Sequence, residues 1–251
     1  MGRLTGIADI FIPRVCITCG RKLLINESHL CLYCLADIPL THFWKMSHNP
    51  MADRFNEAIQ RDLDTAWERG QAHEPYAYAC ALFFYDSHGK YRYITQSLKY
   101  HGDLECGRHF GRMLGAMIAA SEHYQDISLV IPVPLHWRRK WKRGYNQAEV
   151  IARETASRLG LKMRADILER RRYTKTQTRL DVSSKTANVS GAFHINEKIQ
   201  DEIMQICGNH ILIIDDVFTT GATLHACFRA LREVLPQGVR ISVATLGFVG
   251  R

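Results

Sequence analysis

The chain has 251 residues, 46% of them hydrophobic and 23% charged, and carries a formal net charge of +8. That balance belongs to a globular protein with room for one sizeable α/β domain and a small accessory module, and the positive charge favours anionic partners, phosphate esters and nucleic acid alike. No apolar stretch approaches the roughly 20 residues of a membrane span, and the opening residues lack a signal-peptide cleavage site and the myristoylation spacing, so a cytoplasmic location is expected.

The first element in chain order is a metal motif. Cys16, Cys19, Cys31 and Cys34 form C-x2-C-x11-C-x2-C, whereas Cys80, Cys106, Cys207 and Cys227 stand alone. Two close C-x-x-C pairs in a cytosolic chain read as one tetrahedral Zn²⁺ site, with redox C-x-x-C pairs the competing reading. Each pair is expected to fold as a knuckle, helped in the first by Gly20 after Cys19; Leu35 follows the second pair. Four thiolates leave no open position, so the zinc would be structural and would stabilise a module too small to fold on its core alone. Residues 1–48 form this zinc-ribbon module, and a polar helical connector follows over 49–75, ending near Gly70 and the Glu74-Pro75 break.

From residue 76 to 251 short apolar strands alternate with helical patterns, which predicts a mostly parallel sheet flanked by helices. Strands are expected near Ala77–Tyr85, Leu129–Val133, Ile167–Glu169, Ala192–Ile195, Ile211–Ile214 and Val239–Gly247. Helices are expected up to Leu98, up to Ile118, over Gln147–Leu159 and over Thr223–Leu235. The segment Leu98 to Asp103 places Lys99, Tyr100 and Gly102 at a break between helices, a cation and a flexible backbone that suit a pyrophosphate. After Val133 two prolines stop the strand, and a basic run follows: Arg138, Arg139, Lys140, Lys142 and Arg143, interleaved with Trp137 and Trp141. Gly144 then opens a helix near Asn146. The run suits phosphates or single-stranded nucleic acid, with a solvated charge cluster as the plain alternative. Arg170 to Phe193 is a long polar loop, of the kind that is functional or disordered in a compact domain.

The richest motif is Ile211–Thr223, ILIIDDVFTTGAT. Its unalternated apolar run predicts a parallel strand buried on both faces, ending in Asp215 and Asp216 at the ligand edge of the sheet. Thr219, Thr220, Gly221, Ala222 and Thr223 then bring hydroxyls and backbone N–H groups to a helix N-terminus, a phosphate cradle, or more plainly a helix start with Thr caps. Carboxylates for diol hydroxyls beside a phosphate cradle describe a ribose 5-phosphate.

This segment resembles the phosphoribosyl-pyrophosphate (PRPP) signature of type I phosphoribosyltransferases. The resemblance implies that Asp215 and Asp216 hold the ribose 2′- and 3′-hydroxyls with Mg²⁺. It also implies that Thr219–Thr223 wrap the 5′-phosphate, that Lys99, Tyr100 and Gly102 hold the pyrophosphate, and that the long loop is a mobile hood. The cysteine module, LKYHGD, PVP…RGYNQA, the Thr174-to-Phe193 stretch and DDVFTTGAT, in that order, resemble the ComF family of competence-associated proteins across essentially the whole chain. The family pattern marks Arg143, Gly144, Tyr145, Asn146, Gln147, Thr174, Gln177 and Asn188. Lys185 stands where the family commonly has Arg, keeping the charge but losing the bidentate fork. Three functions follow as expectations: a phosphoribosyltransferase with Asp215, Asp216 and Lys99 as its catalytic groups and an unidentified acceptor; a single-stranded-DNA-binding factor linked to the DNA-uptake machinery; and a PRPP sensor.

Overall fold

The computed structural model describes residues 13–67, 74–100, 102–171 and 191–250. Thr174, Gln177, Lys185 and Asn188 lie outside the described residues. The central sheet has five strands in the order β1 (Ala79–Phe84), β7 (Arg240–Phe248), β6 (His210–Phe218), β2 (Leu129–Pro132) and β3 (Lys162–Met163), and every neighbouring pair is parallel. Ile211 to Ile214 are wholly buried on both faces, as the unbroken apolar run requires. A separate antiparallel pair, β4 (Leu168–Arg170) with β5 (Phe193–Ile195), joins the two ends of the long polar loop, setting Arg170 opposite Phe193.

In chain order the helices are α1 (Leu32–Ala36), α2 (Pro50–Trp67), α3 (Arg92–Tyr100), α4 (Leu104–Ala119), α5 (Trp137–Arg143), α6 (Gln147–Leu159), α7 (Gln200–Ile206) and α8 (Ala222–Arg232). Among the described residues none is long and apolar enough to cross a membrane. Helix α4 packs closely on α6 because a β-carbon on Gly111 would lie 2.9 Å from the Ile151 carbonyl; only hydrogen fits there. The Thr155 hydroxyl seals the contact by donating to the Gly111 carbonyl at 3.1 Å.

Residues ahead of β1 are part of the same packing. Thr41 N–H donates to the Leu82 carbonyl at 3.2 Å, Phe84 N–H to Pro39 at 2.8 Å, and the Phe43 ring meets Phe84 and Phe248 edge-on. Asn49 caps α2 by accepting from Met51 and Ala52 N–H, while its amide donates to the Ala79 carbonyl at 3.0 Å.

Topology places the crevice. From β2 the chain passes through α6 to β3 on one side, and from β6 through α8 to β7 on the other. The carboxyl ends of β2 and β6 therefore flank the point where strand order reverses, where open α/β sheets take ligands. Pairing of β2 with β6 reaches Ile214 and stops at Pro132, apart from one bond from Val133 N–H to the Ile214 carbonyl at 2.8 Å. On its other edge β6 stays paired with β7 to Phe218.

Three expectations need correction. Asp215 and Asp216 do not end their strand: they sit inside β6, exposed to the crevice only because the shorter β2 has already stopped. The basic run is not a loop but α5, and Gly144 closes that helix in the left-handed conformation rather than opening the next, whose cap is Asn146. Finally, only the first cysteine pair makes a knuckle, with Cys16 N–H on the Arg21 carbonyl and Gly20 N–H on the Cys16 carbonyl; the second pair opens α1, so a Gly after Cys34 is not required.

Candidate functional site

The crevice holds a cavity of about 230 Å³ lined by Asp215, Asp216, Lys99, Tyr100, Arg139, Arg143, Asn146, Gln147, Arg170 and Thr223 among others. Four stretches far apart in sequence, around residues 99–100, 133–148, 170 and 215–223, meet there. Lys99, in the last turn of α3, reaches across to Asp216 with Nζ 2.7 Å from Oδ2, both side chains being largely shielded from water. Burial works against the Lys99 charge, but Asp216, and Asp215 behind it, outweigh that effect and hold its pKa above the ordinary value.

Asp215 is in the opposite situation. Burial and the adjacent Asp216 charge push its pKa up to about 7, against the opposing pull of the Asp216 N–H, Lys99 and Arg170. The N–H of Asp216 donates back to Asp215 Oδ1 at 2.8 Å, fixing one carboxylate relative to the other. An Asp215 carboxyl that holds its proton up to about 7, fixed beside a second carboxylate, suits a site that binds a divalent cation or diol hydroxyls with proton release.

Helix α5 adds cations from one side only. Arg139 and Arg143, four residues apart, turn inward to the cavity, and the Arg143 guanidinium lies 5.8 Å from the Tyr100 ring centre. The remaining basic-run residues, Arg138, Lys140 and Lys142, are exposed, as are Trp137 at 63% and Trp141 at 87% of their surface. The loop after α5 is then pinned by the RGYNQ residues themselves. The Tyr145 hydroxyl donates to the Leu98 carbonyl, and Asn146 donates to the Val133 carbonyl at 2.9 Å while capping α6 through Ala148 N–H.

Gln147 is 4% exposed, and its carbonyl oxygen accepts from Arg143 at 2.6 Å. An arginine only donates, so the Gln147 amide is oriented with its NH₂ away from Arg143; that Nε2 is buried and meets no acceptor among the described residues. A cavity with an unanswered donor beside three guanidinium groups and a lysine calls for an oxygen-rich anion.

The Thr turn stands beside this cavity. Gly221 caps α8 at φ +79, and a β-carbon there would lie 2.6 Å from the Phe218 ring, so glycine is required twice over. Arg54 of α2 donates to the Thr219 and Val249 carbonyls at 3.2 and 3.3 Å, drawing those carbonyls toward α2. Thr223 shares the cavity of the acidic pair, whereas Thr219, Thr220, Gly221 and Ala222 line a larger space of about 580 Å³ between α2 and α8 that contains neither carboxylate. Gly102 and Arg138 line neither cavity. Neither Arg54 nor Arg170 is marked by the sequence: one is a cation on a polar helix, the other the edge of an aperiodic loop, and neither carries a local signal.

The sulfurs of Cys16, Cys19, Cys31 and Cys34 all lie within 4.8 Å of one another, with Cys19 and Cys31 at 3.7 Å. Tetrahedral Zn–S bonds of about 2.3 Å put sulfurs about 3.8 Å apart, so the set fits such an ion. Burial opposes ionisation of Cys16, but the Thr18 hydroxyl and the N–H groups of Cys31, Thr18 and Cys19 bring its pKa down to about 6. Burial, above all, pushes Cys34 up to about 12.

Comparison with known proteins bears on the domain that carries these residues. The sequence model of the phosphoribosyl transferase domain matches residues 146–247. The chain is 26% identical over 151 residues to competence protein F of Haemophilus influenzae, 26% over 213 residues to DNA utilization protein YhgH of Escherichia coli O157:H7, and 29% over 153 residues to competence protein ComFC of Bacillus subtilis. Those stretches cover 59%, 84% and 60% of this chain, and 64%, 80% and 56% of the three relatives. The chain is thus a homologue of the competence protein F, ComFC and YhgH proteins, built on a phosphoribosyl transferase domain behind a four-cysteine module.

Proposed function

We propose that this protein binds PRPP with Mg²⁺ in the crevice between β2 and β6 and transfers its phosphoribosyl group to an acceptor, in a cytoplasmic role linked to DNA uptake. The observation that carries the reading is the convergence of the Asp215–Asp216 pair, Lys99 and the inward face of α5 on one cavity beside the Thr turn. Asp215 and Asp216 hold the ribose diol, the N-terminus of α8 with its Thr hydroxyls takes the 5′-phosphate, and Lys99, Arg139, Arg143 and the Gln147 amide face the pyrophosphate. The acceptor attacks C1 as the C1–O bond breaks, and pyrophosphate leaves with the bonding electrons. Mg²⁺, when bound, neutralises part of the leaving group's charge and adds its pull to the carboxylates. The protein's own contribution is positioning: Lys99 waits on Asp216 and Arg143 is held by Gln147, so the donors are already aimed where negative charge develops.

Calorimetric titration of PRPP with and without Mg²⁺, on the wild type and on Asp215→Asn/Asp216→Asn, tests this. Saturable Mg²⁺-dependent binding lost in the double variant is expected; no binding by the wild type sinks the proposal. The four-cysteine site is read as structural zinc, checked by metal analysis of the purified protein.

A second reading, direct binding of single-stranded DNA, is favoured by the outward face of α5, where two exposed Trp rings stand among cations. The relatives' names, competence protein and DNA utilization protein, point the same way. Loss of Trp137 and Trp141 should then weaken strand binding, and unchanged affinity would remove that face from consideration.

A further inference from the structure

We infer that the four-cysteine module is a positioning element for Lys99: each cysteine pair grips one end of α3, the helix that delivers Lys99 to Asp216. The inference deepens the PRPP reading and rests on it for the identity of the ligand.

At the start of α3 the grip comes from the second pair. The Tyr91 hydroxyl, on a side chain 8% exposed, donates to the carbonyl of Cys34 itself at 2.9 Å. Lys90 meets Asp37, just past α1, with Nζ 2.6 Å from Oδ2. At the far end the grip comes from the loop that the first pair organises. Ile17, between Cys16 and Cys19, donates its N–H to the His29 carbonyl at 2.9 Å. His29 is thereby held at φ +60, a conformation seldom adopted outside glycine, with Nδ1 3.6 Å from Asp103 Oδ2. Asp103 uses its other oxygen to cap α4 through Cys106 N–H at 2.9 Å, and its own N–H donates to the Ser97 carbonyl at 3.4 Å. The route from cysteine to pyrophosphate loop is therefore continuous at both ends of a nine-residue helix.

A helix this short has little stability of its own, so its position is set by what holds its ends. Lys99 has to reach Asp216 in the free protein and the pyrophosphate in the complex, and a small rotation of α3 would move Nζ out of range of both. Among the described residues none of the module's contacts at the two ends of α3 involves Asp215, Asp216 or the Thr219–Thr223 turn. The coupling is thus selective for the pyrophosphate half of the ligand.

The test uses the full-length, metal-loaded protein and leaves all four cysteines in place. His29→Gly removes the imidazole while keeping a residue suited to positive φ, and Tyr91→Phe removes only the hydroxyl. In the double variant metal content should stay at the wild-type level, and the affinity for PRPP should fall about tenfold, within the usual range of site-to-site coupling. Affinity for ribose 5-phosphate, which has no pyrophosphate, should stay the same. Unchanged PRPP affinity, or an equal loss for both ligands, would overturn the inference. Hydrogen exchange of the ligand-free protein gives a readout independent of PRPP: amides 96–100 should exchange faster in the variant, and equal protection would also overturn it. Should the wild type bind no PRPP, the functional reading fails while the exchange result still decides whether the module positions α3.

Discussion

Asp215 sets the acid limit of the site. Its pKa rises on folding from 3.8 to about 7, so the native state holds this proton more tightly than the unfolded chain. The sign follows: the favourable contribution to stability is complete below the unfolded value and is lost as pH rises through about 7. Asp215→Asn should therefore leave stability nearly unchanged near about pH 4 and raise it near about pH 8, while abolishing Mg²⁺-PRPP binding. Thermal melts at the two pH values check this, and a variant destabilised at the higher one would contradict it. Gln147 makes a complementary case. Its buried NH₂ has no acceptor among the described residues, so Gln147→Leu removes an uncompensated donor and should change stability by less than about 1 kcal/mol. PRPP affinity should nevertheless drop about tenfold, since the ligand loses a hydrogen bond that the cavity had prepared. A chemical denaturation curve beside a ligand titration separates the two effects, and unaltered affinity would place the amide outside the site.

Helix α5 shows what one element can do with two faces. Arg139 and Arg143 look into the cavity while Trp137 and Trp141, offset from them around the same helix, look into solvent. Arg139→Ala/Arg143→Ala should weaken PRPP binding and leave strand binding by the Trp face largely intact; Trp137→Ala/Trp141→Ala should do the reverse. Titrating each variant with PRPP and with a labelled oligothymidylate decides it, and parallel losses in both assays would mean that the faces are not independent. This element was also the least legible. Its seven residues, WRRKWKR, bury none of their side chains, and one Trp pair four apart is too short a repeat to tell a helix from a loop, since periodicity is read from apolar residues. Helix α6 was legible to the residue, since Asn146 caps it and its buried positions recur at helical spacing. Strand β6 was legible from Ile211 to Ile214 but not beyond, because where β2 stops beside it is a fact about another part of the chain. For the same reason the Lys99–Asp216 ion pair was not legible: both residues were named as site groups, on the pyrophosphate and on the ribose, but nothing in their spacing sets one against the other, and Gln147 was named without its orientation, which only Arg143 provides.

At the scale of the whole molecule, the cysteine module and the sheet differ in what holds them. Within residues 13–38 the buried apolar side chains are few, and three of them, Cys16, Cys31 and Cys34, belong to the metal motif. From residue 39 onward the chain is bound to the sheet through Pro39, Leu40 and Thr41 along the edge of β1, and Phe43 and Trp44 are buried in the common core. Removing the metal should then release the first stretch and spare the second. A thiol-reactive mercurial or a strong chelator, added to the intact protein, should make it cleavable by a nonspecific protease on the amino-terminal side of residue 39. The remaining fragment should keep its parallel sheet and its main thermal transition, because the residues that build β1 to β7 do not depend on the thiolates. Mass spectrometry of the protected fragment and a melt of the same sample measure both. Helix α3 should be the one part of the domain that loosens with the module, as Tyr91 and Asp103 lose their partners at its two ends. If metal removal instead melts the whole chain in one step, the module is part of the domain's cooperative unit, and the coupling to Lys99 extends to every strand of the sheet.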